Sequence, residues 1–204
     1  MQKNINKIQS ILELILKIAK GLIEFISIFK KTPKNKENQI LEQAADFIIK
    51  FEGFSDKVYK CPAGIETIGY GTTEFLKGLS MAEKKELRIT KEEARTYLID
   101  HIKKDYNHLD KSLKEKEINI VEPLKVALLS WMYNFGRHKF TQNNSTLCKI
   151  ILNGECTTQD IVEQFKRWNK IKQPDGTYEV SNGLVRRRKE EIALFEKCKT
   201  IFVK

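Results

Sequence analysis

EGFSDKVYKCPAGIETIGYGTT, residues 52–73, is the stretch that decides the fold. Short runs of Tyr, Val, Ile and Thr are cut by Pro62, Gly64, Gly69 and Gly71, the pattern of a small antiparallel hairpin sheet. Upstream, Leu41, Ala44, Ala45, Ile48 and Phe51 recur at helical spacing and Gly53 supplies a C-terminal stop, so a helix over 41–51 is expected to close at Glu52. Downstream, Thr90 and Glu93 have the spacing of a capping box, and helical patterns follow over 124–135, 145–152, 160–168 and 185–195. The expected architecture is α+β, a small antiparallel sheet lobe beside a larger helical lobe.

Outward to the N-terminus, Asn6, Ser10, Glu13, Lys17, Lys20, Glu24, Ser27 and Lys31 form one polar stripe on an otherwise apolar segment. An amphipathic helix over 5–29 is predicted, with Glu13–Lys17 and Lys20–Glu24 as i,i+4 pairs. Its charges interrupt the apolar run of roughly 18 residues that a membrane span needs, and they spoil a cleavable secretory signal. Two roles stay open. It lies in an anionic membrane surface, with Lys3, Lys7, Lys30 and Lys31 meeting head groups, or it packs on the domain or on itself. The polar run KKTPKNKEN, with Pro33, reads as a linker. The expected organisation is a helical extension over 1–31, a linker over 32–38 and one main domain over 39–204.

The chain has 204 residues, 41% of them hydrophobic and 31% charged, enough to bury a substantial core without pointing to disorder. A formal net charge of +10 favours an anionic partner: nucleic acid, lipid or cell wall. No zinc-finger spacing, basic heptad arm or basic aromatic strand is present, which argues against nucleic acid. Cys61, Cys148, Cys156 and Cys198 show no CxxC or Cys/His spacing, and His101, His108 and His138 are scattered, so no metal or organic cofactor is expected. Disulfides and buried thiols both remain open for the cysteines.

Glycoside hydrolysis needs a carboxylic acid to protonate the leaving oxygen, beside a second group that acts as nucleophile or activates water. Glu52, at the end of an apolar helix, suits the first role. The spacing of Glu52, Cys61 and Thr67 resembles the active-site signature of the phage-type lysozymes, glycoside hydrolase family 24, in which Asp or Cys fills the middle position. The resemblance continues through LSWMYNFGRHKFTQNNSTL, residues 129–147, through Phe165 to Trp168, and through GLVRRRKEE, residues 183–191.

That resemblance implies a lysozyme-like domain hydrolysing the β-1,4 bond between N-acetylmuramic acid and N-acetylglucosamine of peptidoglycan. The protein is expected to be a monomer made in the cytoplasm and acting at the cell wall. It implies Glu52 as general acid, Cys61 at the position of the second catalytic group, and Thr67 as a partner of the attacking water. Tyr133, Asn134 and Thr146 match positions along the substrate cleft, although core packing is an equal reading for Tyr133. A thiolate can act as base or as nucleophile, so the family's inverting outcome and a retaining one are both open. Asp56 and Glu66 are rival carboxylates, but on a strand Glu66 points away from the face that carries Thr67. One of Arg186, Arg187 and Arg188 is expected to approach Glu52 or the acidic wall, the others forming a solvated basic face. Trp131 and Trp168 are expected in the core. One departure is visible: the family's GYGHT reads GYGTT here, with Thr72 for His, and His101 stands where the family places the Asp partner. The rival class is a catalytically weak cationic protein working through residues 5–29.

Overall fold

Residues 36–61, 64–140 and 145–203 are described by a computed structural model; the amphipathic helix read over 5–29 lies outside them. Helix α1 (Lys36–Ile49) buries Ile40, Leu41, Ala44, Ala45, Phe47 and Ile48, the face its spacing demands. It begins within the polar run, so Lys36 opens a helix instead of ending a linker. It also stops earlier than its apolar pattern. The Phe51 N–H donates to the Ile48 carbonyl at 2.9 Å and the Glu52 N–H to the same oxygen at 3.2 Å. This tightened turn carries Glu52 just past the helix end.

The chain then turns into strands β1 (Ser55–Lys60) and β2 (Glu66–Gly69), an antiparallel pair with Tyr59 opposite Thr67 and an irregular register between Ser55 and Tyr59. The hairpin loop is closed by the Cys61 N–H donating to the Ile65 carbonyl at 3.0 Å and the Gly64 N–H to the Cys61 carbonyl at 2.7 Å. At the far end of β2, Gly69 has φ +66°, and a Cβ there would lie 2.9 Å from Ala94 Cβ, so only glycine lets the sheet seat on the next long helix.

A 3-10 turn (Glu74–Leu76) and helix α2 (Met81–Glu86) lead to α3 (Lys91–Lys114), whose Thr90–Glu93 capping box is present as expected. Helix α4 (Glu122–Phe135) follows, then α5 (Thr146–Asn153), α6 (Thr158–Arg167) and α7 (Asn182–Phe195). Between α6 and α7 stands a hairpin absent from the sequence reading, β3 (Lys170–Lys172) with β4 (Tyr178–Val180), exposed on both faces. Seven α-helices and two two-stranded sheets are present among the described residues, and Ile40–Lys204 forms one compact unit.

Helix α4 is buried on nearly all sides, from Leu124 to Met132, and α3 and α7 pack against it. Trp131 is fully buried, edge-on to Trp168 at 4.8 Å, as expected of core aromatics. The same contact between α4 and α7 holds charge. Ser130 Oγ donates to Glu191 Oε1 at 2.6 Å, and Arg188 Nε lies 2.7 Å from Glu191 Oε2. Arg188 is 1% exposed, so the solvated face expected of it is wrong: it neutralises Glu191 inside the core. Arg186 alone of the three arginines is well exposed, near Glu190 at 3.7 Å. Burial pulls the Arg188 guanidinium down to about 10 and pushes the Glu191 carboxyl up, against their mutual attraction. The four cysteines are thiols, with burial raising Cys148 and Cys156 each to about 11.

Removing one member of a buried ion pair strands the other charge, at a cost of about 3–5 kcal/mol. Glu191→Ala is therefore expected to lower the unfolding free energy by about that amount in urea titrations. A loss below about 1 kcal/mol would mean that the pair is solvated.

Candidate active site

Glu52 lies where the end of α1, the β1–β2 sheet and α7 meet. Its Oε1 accepts a hydrogen bond from Arg187 Nη1 at 2.7 Å. The Arg187 side chain is 4% exposed and Glu52 is 25% exposed, so the buried partner fixes the accessible one. Arg187 is itself held on its other edges: Nε donates to Ser130 Oγ and Nη2 to the Ser130 carbonyl, both at 3.2 Å. Its guanidinium also stands over the Phe51 ring at 5.4 Å. Of the three arginines, this is the one that approaches the glutamate.

With Oε1 engaged, Oε2 turns toward Gly71. A Cβ on Gly71 would lie 3.9 Å from Glu52 Oε2 and 3.1 Å from the Tyr133 hydroxyl, and its φ of +99° is one that side chains rarely adopt. The Tyr133 hydroxyl donates to the Tyr70 carbonyl at 2.7 Å, which ties α4 to the turn after β2. Burial, then the charge of Glu52, push the Tyr133 phenol well above its ordinary value. Tyr133 thus packs in the core and faces the site at once.

On the sheet, Thr67 is buried and its hydroxyl donates to the Ile65 carbonyl at 2.9 Å, leaving oxygen lone pairs as acceptors. Cys61 is half-buried at the mouth of the hairpin. Tyr59, paired across the strands with Thr67, connects the two sides: burial, then Glu52, then Cys61 raise its phenol, so both groups lie within electrostatic reach of it. Sequence reasoning missed Tyr59, whose place opposite Thr67 is decided by the strand register.

The rival carboxylates are placed elsewhere. Glu66 receives Lys84 Nζ at 2.7 Å on the opposite face from Thr67, as strand alternation required. Asp56 is exposed on β1. Of the remaining expected substrate residues, Asn134 follows Tyr133 on α4, and its buried Oδ1 has no hydrogen-bond partner among the described residues. Thr146 is exposed at the start of α5, after the N-cap Ser145. No group of three or more potential metal ligands occurs among the described residues.

The Thr72 and His101 departure also resolves into geometry. Thr72 is buried, and its hydroxyl donates to the Ile68 carbonyl at 3.2 Å. His101 finds a carboxylate one helical turn on, with Nε2 at 3.6 Å from Asp105 Oδ2. The pair expected between positions 72 and 101 is thus replaced by a contact within one helix, beyond hydrogen-bond distance.

Comparison with known proteins gives a consistent picture. The phage lysozyme family profile matches residues 49–191. The endolysin of Acyrthosiphon pisum secondary endosymbiont phage 1 is 31% identical over 157 residues, 77% of this chain and 97% of that protein. The solved endolysin from Escherichia coli O157:H7 phage FAHEc1 superposes with a TM-score of 0.62 at 30% identity, covering 79% of this chain and 94% of the other. The muramidase domain of SpmX from Asticaccaulis excentricus shares the fold, with a TM-score of 0.61 at 23% identity over 74% of this chain and 93% of that domain. With the glutamate, the hairpin and the buried arginine assembled as described, the chain belongs to the phage lysozyme family.

Proposed function

We propose that this peptidoglycan-hydrolysing lysozyme cleaves the β-1,4 bond between N-acetylmuramic acid and N-acetylglucosamine with Glu52 as general acid. The observation that carries the assignment is the division of labour within one carboxyl group. Oε1 is fixed by the buried Arg187, and Oε2 lies beside Gly71, where the lack of a side chain leaves room. A proton on Oε2 passes to the leaving glycosidic oxygen as the bond to the anomeric carbon breaks.

Cys61 and Thr67 serve the other half of the reaction. The Thr67 hydroxyl, already donating to the Ile65 carbonyl, accepts a hydrogen bond from a water and orients it. The Cys61 thiolate takes that water's proton as the new carbon–oxygen bond forms, and exchange with solvent returns the proton to Glu52. This route inverts the anomeric carbon. Tyr133 and Asn134 stand in the wall beside the sugar, and the exposed Thr146 offers it a hydroxyl.

Glu52→Gln keeps the shape and removes the proton. Clearing of bacterial cell-wall suspensions is expected to fall by at least about 10²-fold, as for loss of a general acid. Retained clearing would remove Glu52 from the mechanism.

The protein acts at the cell wall, and we further propose that residues 5–29 bring it to an anionic membrane surface on the way. The full chain is expected to sediment with anionic liposomes, and a chain lacking 5–29 to stay in the supernatant. Equal recovery of both in the supernatant would leave packing or self-association as the role of that segment.

A further inference from the structure

The apolar stripe of α3 is interrupted by one buried carboxylate, Asp105, between Ile102 and Leu109. Arg137 Nε lies 2.8 Å from Asp105 Oδ1, and His101 Nε2 lies 3.6 Å from Oδ2. Among the described residues neither Asp105 oxygen receives an aligned hydrogen bond, and the buried His101 Nδ1 has no partner. A half-satisfied buried network is worse for stability than an apolar side chain of similar volume. Core building does not explain it.

What the cluster does touch is the wall of the active site. The His101 ring stands edge-on to Tyr133, with centroids 5.1 Å apart at 78°. Tyr133 in turn donates to the Tyr70 carbonyl and abuts Gly71, whose missing side chain would also meet Glu52 Oε2. Arg137 follows Gly136, the residue that ends α4, so it ties down the end of the helix that carries Tyr133. On the far side, a cavity of about 290 Å³ lined by Thr72, Glu74, Phe75, His101 and Lys104 gives solvent a way in.

We propose that Asp105 is a positioning residue for the glycosidase reaction: ionised, it holds Arg137 and His101 and thereby fixes Tyr133 against the Tyr70–Gly71 turn beside Glu52; neutral, it releases them and the cleft slackens. The proposal rests on the reading of Glu52 as the acid.

The charged and titratable groups facing Asp105 are His101 and Lys104 on its own helix, Glu74 on the 3-10 turn, Arg137 after α4 and Tyr133 on α4. Burial raises the Asp105 carboxyl to about 6; Arg137 and Lys104 oppose this and Glu74 adds to it. Burial, then Arg137, lower the His101 imidazole, and Glu74 acts the other way. A carboxyl raised in the folded state contributes stability that is complete below its ordinary value and is lost as pH rises through about 6. Positioning requires the reverse for activity, which falls as pH drops through the same value.

The test is the pH profile of kcat/KM on cell-wall substrate at constant ionic strength, for the full chain and for Asp105→Asn and Asp105→Glu. The wild type is expected to show an acid limb near pH 6. Asp105→Asn is expected to lose that limb and to run about tenfold slower at pH 7.5, while its melting temperature there is equal or higher. Asp105→Glu is expected to restore the limb. An Asp105→Asn protein with wild-type rate and an unchanged limb overturns the proposal. If that variant does not fold, the Tyr133 ring carbon shift in the wild-type chain decides: a titration centred near pH 6 supports the coupling, and a flat response between pH 5 and 7 refutes it. Activity surviving in Glu52→Gln would instead sink the reading of the acid and leave the Tyr133 titration standing.

Discussion

The contact between Arg187 and Glu52 is the constraint from which the site follows. A carboxylate just past the end of a helix has several rotamers and water for company, and nothing local aims it. Here an arginine almost wholly removed from solvent grips one oxygen. That grip depends on Ser130 and, through it, on Glu191, so the direction of one side chain at the surface is set by a hydrogen-bonded layer between α4 and α7. Such charge-assisted bonds are short and directional, which is what a proton donor needs.

The layer has an energetic consequence. Arg187, Arg188, Glu191 and Asp105 are all buried charges, and apolar replacements of similar size would be neutral or stabilising in their place. The fold gives up stability in order to fix orientation, and it does so at the two sides of the helical lobe that bear on the sheet. On one side the arginine meets Glu52; on the other the Asp105 cluster meets Tyr133. Gly69 and Gly71 supply the complementary feature on the sheet, backbone close enough to the helices that a side chain would collide.

Much of this was legible in residue order. The apolar stripes of α1 and α3, the Thr90–Glu93 box, the glycine-cut hairpin and the opposite faces of Glu66 and Thr67 follow from period and turn chemistry alone. What failed were the features that only tertiary contact decides. Three consecutive arginines look alike in sequence, yet one reaches Glu52, one neutralises Glu191 and one is well exposed. The β3–β4 hairpin has three-residue strands with no buried face, so no alternation marks it, although Pro174, Asp175 and Gly176 signal its turn. Asp105 sits in an apolar stripe, where its register shows burial but not its partner. Tyr59 reads as an ordinary strand aromatic until the strand pairing sets it opposite Thr67.

The most direct test of the account is a structure of the Glu52→Gln protein with a peptidoglycan tetrasaccharide bound. Proton transfer from residue 52 requires the scissile oxygen within about 3 Å of its side chain on the edge away from Arg187, with Cys61 and Thr67 across the anomeric carbon. A sugar chain bound elsewhere, or one whose scissile bond meets residue 52 only after Arg187 has swung away, would contradict it.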